Sequence, residues 1–162
     1  MSKLSHLDDS GRARMVDVSD KPATARTAVA EGRFVCAPQT LAMVRDNTAP
    51  KGAVLSTAEL AGVMAAKRAA DLIPLCHPLP LSKIEVVCTL EDNAIHVRAE
   101  ARATGPTGVE MEALTAVSVA CLTLFDMLKA VDKTLRIDGV RVLHKSGGRS
   151  GDFTASDQGP MS

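Results

Sequence analysis

Ile84-Glu85-Val86-Val87-Cys88-Thr89-Leu90, then Glu91-Asp92-Asn93-Ala94, then Ile95-His96-Val97-Arg98-Ala99-Glu100-Ala101-Arg102-Ala103 is the run from which the architecture can be read. Its first part is apolar and rich in β-branched residues, a composition that suits a pleated strand. Its second part alternates: Ile95, Val97, Ala99 and Ala101 oppose His96, Arg98, Glu100 and Arg102. Successive strand side chains point to opposite faces, so this pattern predicts a strand with one buried and one solvated face. Glu91-Asp92-Asn93 between the two predicts a hairpin turn.

On the C-terminal side, Thr104-Gly105-Pro106-Thr107-Gly108 is a loop by composition. Leu114, Val117, Cys121, Leu124 and Leu128 then recur at three- and four-residue steps, which predicts the longest helix, about Val109 to Val131. Leu135 to Leu143 predicts a last strand with Gly139 at a bulge or bend. On the N-terminal side, Pro74, Pro78 and Pro80 make Leu75-Cys76-His77 an extended connector. Ser56-Thr57-Ala58-Glu59 has capping-box spacing and predicts a helix from about Thr57 to Asp71. Pro38 opens a short helical piece, and Arg33-Phe34-Val35-Cys36 reads as a short strand. Ser19 with Pro22 predicts a short helix through about Ala30. Without the small additions the order is β-α-β-β-α-β. This is an α+β, ferredoxin-like plan: an antiparallel sheet with two main helices on one face.

The chain of 162 residues fits a single domain, 1–162, with flexible ends at about 1–14 and 154–162. It is 46% hydrophobic and 23% charged, values of a globular protein. Lys plus Arg and Asp plus Glu both total 19, so no net field draws the whole molecule to nucleic acid or an anionic membrane. Only Phe34, Phe125 and Phe153 are aromatic, and the hairpin has none of the paired aromatics that an RNA-recognition sheet uses. No apolar run approaches a membrane span, and the start lacks a signal peptide's apolar stretch, so a cytoplasmic protein is expected. Cys36, Cys76, Cys88 and Cys121 form no Cys-x-x-Cys pair and read as reduced thiols, with no metal site.

Chemistry concentrates on the long helix. Glu112 and Asp126 are 126 − 112 = 14 positions apart, about 21 Å along a helix, too far to serve one reaction centre within a subunit. Either one of them is structural or another chain completes the pocket; the second is the favoured reading. Lys129 stands one turn beyond Asp126. Lys51-Gly52 lies in a polar loop, Lys67-Arg68 on the capped helix, and His77 in the proline-rich connector, the kind of loop that often carries function. Lys145-Ser146-Gly147-Gly148-Arg149-Ser150-Gly151 offers free amides, hydroxyls and two cations, a composition suited to wrapping an anion, without being a Walker A loop.

Met15-Val16-Asp17-Val18-Ser19, Asp71-Leu72-Ile73-Pro74-Leu75-Cys76-His77-Pro78, Thr107-Gly108-Val109-Glu110-Met111-Glu112-Ala113-Leu114, Asp126-Met127-Leu128-Lys129-Ala130-Val131 and Lys145-Ser146-Gly147-Gly148 together closely resemble the cyclic pyranopterin monophosphate synthase family of molybdenum cofactor biosynthesis. The resemblance implies a small-molecule substrate, a cyclised dihydro-GTP handed over by an upstream radical enzyme, and release of pyrophosphate. It also implies a homohexamer, a trimer of dimers with intersubunit sites. By resemblance Asp126, Lys51 and Lys129 take catalytic positions. Leu75, Cys76, His77, Glu110, Met111 and Glu112 bind substrate, and Lys67, Arg68, Arg26 and Lys145 are auxiliary contacts. Arg149 stands where many relatives would carry lysine. The sequence requires no cofactor, and it leaves room for Mg2+ with the pyrophosphate. A non-catalytic nucleotide sensor on the same fold is the rival class; it needs fewer titratable side chains than these segments gather.

Overall fold

The computed structural model describes residues 6–156. In chain order the elements are β1 (Thr24–Val35), α1 (Pro38–Arg45), α2 (Val54–Ala66), α3 (Ala69–Leu72), β2 (Leu81–Leu90), β3 (Ala94–Gly105), α4 (Glu110–Leu128), β4 (Arg136–Ser146) and β5 (Phe153–Thr154). The fold is α+β, and its strands form one sheet in the order β2-β3-β1-β4-β5, with every neighbouring pair antiparallel.

The hairpin of β2 and β3 forms as its pattern predicts, with Leu90 opposite Ile95. The inward residues Ile95, Val97, Ala99 and Ala101 are all fully buried. The outward face carries ion pairs: Glu100 is held by Arg102 at 2.6 Å and Lys83 at 3.3 Å, and Glu31 by His96 and Arg141, each at 2.8 Å. Against the inner face lie α2 and α4, packed on each other, with α4 over β1, β3 and β4 and α2 over β2. The interlayer is made largely of small residues, Ala28, Ala30, Ala99, Ala101, Ala113, Ala116 and Ala120, all fully buried. Larger side chains, among them Phe34, Ile95, Leu124 and Leu128, fill the half of the core towards the end of α4.

Three expectations are corrected. The helix expected from Ser19 and Pro22 to Ala30 is the first half of β1. Thr24–Ala30 pairs with β3 throughout and with β4 from Thr27 onward, and this pairing overrides the helical leaning of its alanines. The helix expected over Thr57–Asp71 begins earlier, at Val54, breaks after Ala66 and resumes as the single turn of α3. Its capping box does not form: Ser56 and Glu59 already lie inside α2, and Glu59 accepts the Cys88 amide of the edge strand β2 at 2.9 Å. The third concerns the absence of a long apolar run: the 19 residues of α4, with mean hydropathy 1.6, are long and apolar enough to cross a membrane. Their charges sit at the ends, and the stretch between them is the core helix of this fold.

The other elements agree within a turn. Helix α4 lies inside the expected Val109–Val131, and β4 runs past Leu143 to Ser146. Gly139 adopts a left-handed φ of +61° where the β1–β4 register shifts, as the expected bulge requires. Of the ends expected to be flexible, residues 1–5 and 157–162 lie outside the described residues. Within the described part, Leu7 bridges Ala13 around a turn closed by Asp8, and Phe153–Thr154 pairs with β4. Cys36, Cys88 and Cys121 are buried free thiols whose pKa values burial pushes up to about 11, 12 and 11.

The antiparallel topology places the start of β1, the ends of β3 and β4 and the start of α4 at one edge of the molecule. The end of β1, the start of α1 and the end of α4 lie at the other.

Candidate active site

At the first edge is a cavity of about 870 Å3, a size suited to a small-molecule ligand. Four stretches wall it: the arm before β1 with Val16, Val18 and Lys21, the connector Leu75-Cys76-His77, the Pro106–Met111 turn into α4, and the loop after β4 with Gly148, Arg149 and Ser150. Each wall adjoins a strand or a helix, so the packed core fixes its position. Lys21, Arg26, Lys145 and Arg149 face one carboxylate, Glu110, which makes the cavity net cationic. Glu110 pairs with Lys145 at 3.0 Å.

His77 Nε2 lies 2.7 Å from the Val16 carbonyl. A carbonyl can only accept, so Nε2 carries the proton and His77 ties the arm to the connector. Glu112, one turn into α4, is buried behind the cavity wall, with Cys76 Sγ 3.8 Å from its Oε1 and, among the described residues, no partner for Oε2. Burial pushes the Glu112 carboxyl above its ordinary pKa, with the negative charge of Glu110 adding to the effect and the Cys76 thiol opposing it. The Cys76 thiol is raised as well, by burial and by the Glu112 carboxylate. Glu112 and Cys76 are therefore held towards their uncharged forms.

At the opposite end of α4, Asp126 is gripped by two cations. Lys129 Nζ is 2.8 Å from Oδ1 and Lys51 Nζ 2.8 Å from Oδ2, and Lys51 also donates to the Asp126 backbone carbonyl at 3.1 Å. These bonds, from Lys129 first and Lys51 next, hold the Asp126 carboxyl down to about 2. All three side chains are half exposed. Below them, Asp132 accepts from the Ala37 amide, the Thr40 hydroxyl and both the amide and hydroxyl of Thr134, at 2.6–2.9 Å. Burial alone would raise its carboxyl; these donors outweigh it and hold Asp132 well below the usual carboxylate range. The bonds tie the start of α1 to the turn after α4, and so steady the ground on which Lys129 stands.

The structure thus gathers Leu75, Cys76, His77, Glu110, Met111, Arg26 and Lys145 around one cavity, with Glu112 just behind it, and Lys51, Asp126 and Lys129 into a second cluster outside it. Lys67 and Arg68 join neither: they are exposed where α2 ends and make no ion pair among the described residues. Sequence reasoning missed Lys21 and Thr24 as cavity residues because it assigned them to a helix. Their signal was the β1 pairing, which has no local trace. His6 was likewise placed in a flexible arm. Among the described residues no group of three or more His, Cys, Asp or Glu could hold a metal ion.

A cationic, part-apolar cavity on an α+β scaffold, with titratable side chains converging on it, suits an enzyme of small molecules better than a binding module for polymers. The model of the MoaC family matches residues 15–148, and the chain belongs to that family. It is 63% identical over 159 residues to the cyclic pyranopterin monophosphate synthase of Methylobacterium sp. (strain 4-46), covering 96% of this chain and 98% of that protein. To proteins of the same name it is 58% identical over 158 residues in Cereibacter sphaeroides (96% and 99% covered) and 58% over 154 residues in Chloroflexus aurantiacus (94% and 94% covered). The family is one of lyases of molybdenum cofactor biosynthesis that act on a small-molecule substrate.

Proposed function

We propose that the protein converts (8S)-3',8-cyclo-7,8-dihydroguanosine 5'-triphosphate into cyclic pyranopterin monophosphate with release of pyrophosphate. The observation that carries this reading is the cavity itself: each of its four walls includes residues within the family match, and its charge suits a triphosphate. The family relationship supports the chemistry.

The reaction opens the purine imidazole ring, closes a pterin and forms a cyclic phosphate. The ring steps move protons repeatedly, and the Lys51 and Lys129 ammoniums with the Asp126 carboxylate supply donors and an acceptor in one cluster. Leu75, Cys76, His77 and Met111 hold the base, with Glu112 behind them. In the last step a sugar hydroxyl attacks the α-phosphorus and pyrophosphate leaves. Lys145, Arg149 and Lys21 stabilise the charge that accumulates on the phosphates, and Arg26 acts beside them. Lys67 and Arg68, which do not line this cavity, would contribute from another subunit. The described residues offer Mg2+ no site of their own; it would enter as the companion of the pyrophosphate, and no step here runs through it.

The catalytic cluster and the cavity stand at opposite ends of α4, about 21 Å apart along the helix, so we read the working site as shared between subunits of a hexamer built as a trimer of dimers. Exposed Leu60, Met64, Leu72 and Leu122 on the helical layer support an assembly that covers them. We further read the chain as a single cytoplasmic domain. Its first four strands and two long helices we take as ferredoxin-like, which the order β2-β3-β1-β4 supports. The deciding experiment is incubation of the protein with the cyclised dihydro-GTP and mass analysis of the products. Pyrophosphate and the cyclic phosphate are expected, and binding without conversion would leave a sensor in place of an enzyme.

A further inference from the structure

Arg26 lines the cavity, yet three of its donors are engaged by backbone. Nε donates to the Gly105 carbonyl at 3.4 Å, Nη2 to the Pro106 carbonyl at 3.1 Å and Nη1 to the Gly147 carbonyl at 3.1 Å. One guanidinium from β1 therefore pins together the turn into α4 and the loop after β4. The second loop is shaped to receive it. Gly147 and Gly148 have left-handed φ of +85° and +103°, and a Cβ on Gly147 would strike the Ala25 carbonyl, one on Gly148 the Arg26 Nη1.

A trans peptide is planar, with its C=O and N–H pointing in opposite directions. With the Pro106 and Gly147 carbonyls turned to the guanidinium, the Thr107 and Gly148 amides of the same two peptides must face away from it. Neither amide has a backbone or side-chain acceptor among the described residues, and both belong to residues that line the cavity. Unpaired amides beside Lys145 and Arg149 are suited to phosphate oxygens.

We infer that Arg26 is a positioning residue: by fixing two peptide planes it presents the Thr107 and Gly148 amides to a phosphate of the substrate, and its own charge is secondary. This rests on the functional reading above for the substrate and adds to it the division of labour among the cations. A lysine at position 26 would keep the charge but could not fork to three carbonyls.

The test measures turnover of the cyclised dihydro-GTP, and binding of inorganic pyrophosphate by titration calorimetry, on the intact assembly for wild type, Arg26→Lys, Arg26→Ala, Gly148→Ala and Arg26→Ala/Gly148→Ala. Arg26→Lys is expected to bind pyrophosphate at least about 10-fold more weakly, close to Arg26→Ala. Gly148→Ala should reproduce that loss with the guanidinium still present. The double variant should be no weaker than the singles, since both disturb one loop. Pyrophosphate should also slow amide exchange in peptides covering 105–109 and 146–150 of the wild type and not of Arg26→Lys. Arg26→Lys within about 2-fold of wild type, or losses that add in the double variant, would overturn the positioning role. If Arg26→Ala does not fold, Arg26→Lys and Gly148→Ala decide. Wild type without turnover overturns the functional reading instead, whatever the variants do.

Discussion

The two ends of α4 carry the same kind of group in opposite states. Glu112, near the start, is buried beside a thiol with one oxygen unpartnered among the described residues, and its carboxyl is driven towards the neutral form. Asp126, near the end, is half exposed between two ammoniums and stays ionised to about pH 2. Neither difference comes from residue type. One helix holds a carboxyl suited to donating a hydrogen bond and another suited to holding cations, because one end is roofed by a cavity wall and the other opens to water.

The contrast is open to experiment, most severely at the exposed end. Asp126→Ala should lower turnover of the cyclised dihydro-GTP about 1000-fold, within the range of lost acid–base catalysis, while thermal unfolding stays near wild type because the side chain is half exposed. Retained turnover would take Asp126 out of the mechanism. Lys51→Ala and Lys129→Ala should each cost about 100-fold, less than removal of the carboxylate that joins them. If the two ends serve different subunits, an oligomer reassembled from Asp126→Ala and His77→Ala chains should recover part of the activity that each lacks alone; complete inactivity of the mixture would place both ends in one subunit's site.

Two smaller effects concern stability. Asp132→Ala should destabilise the fold by about 2–3 kcal/mol at neutral pH, since it strands donors that were bonded to a buried charge. The folded Asp132 pKa is depressed, so the contribution of this carboxylate is fully present above its unfolded value near 4. It fades as pH falls through the folded value, and denaturation curves of wild type and variant should converge in acid. Glu112 has the opposite sign. Its raised pKa means that wild-type stability declines as pH rises through the folded value, so the melting temperature of Glu112→Gln relative to wild type should increase as pH rises above the ordinary carboxylate range. A difference independent of pH would mean that Glu112 does not titrate there.

Legibility in the sequence followed periodicity. The alternation of Ile95–Ala103 and the 3–4 spacing of α4 are local patterns, and both elements form where expected. The first half of β1 carries no such pattern: Thr24-Ala25-Arg26-Thr27-Ala28-Val29-Ala30 becomes a strand through partners about 75 and 120 residues away. That miss hid Lys21 and Thr24 from the cavity. Glu59 misled for a different reason, since a capping-box spacing cannot reveal that the carboxylate is used by a distant strand amide. At the candidate site, the separation of Glu112 from Asp126 along one helix was legible by counting residues. What counting cannot supply is the hydrogen-bond partner of each group, which is why Arg26 read as an auxiliary substrate contact and only the structure places its donors on carbonyls.

The alanine layer between α4 and the sheet has a consequence for how the sequence can drift. Ala99, Ala101, Ala113, Ala116 and Ala120 are fully buried, so an added methyl group has nowhere to go without lifting the helix. Because the cavity and the Lys51–Asp126–Lys129 cluster both hang on α4, such a shift would move them together. In a saturation-mutagenesis survey of function these unreactive alanines should tolerate change as poorly as the residues that handle the substrate.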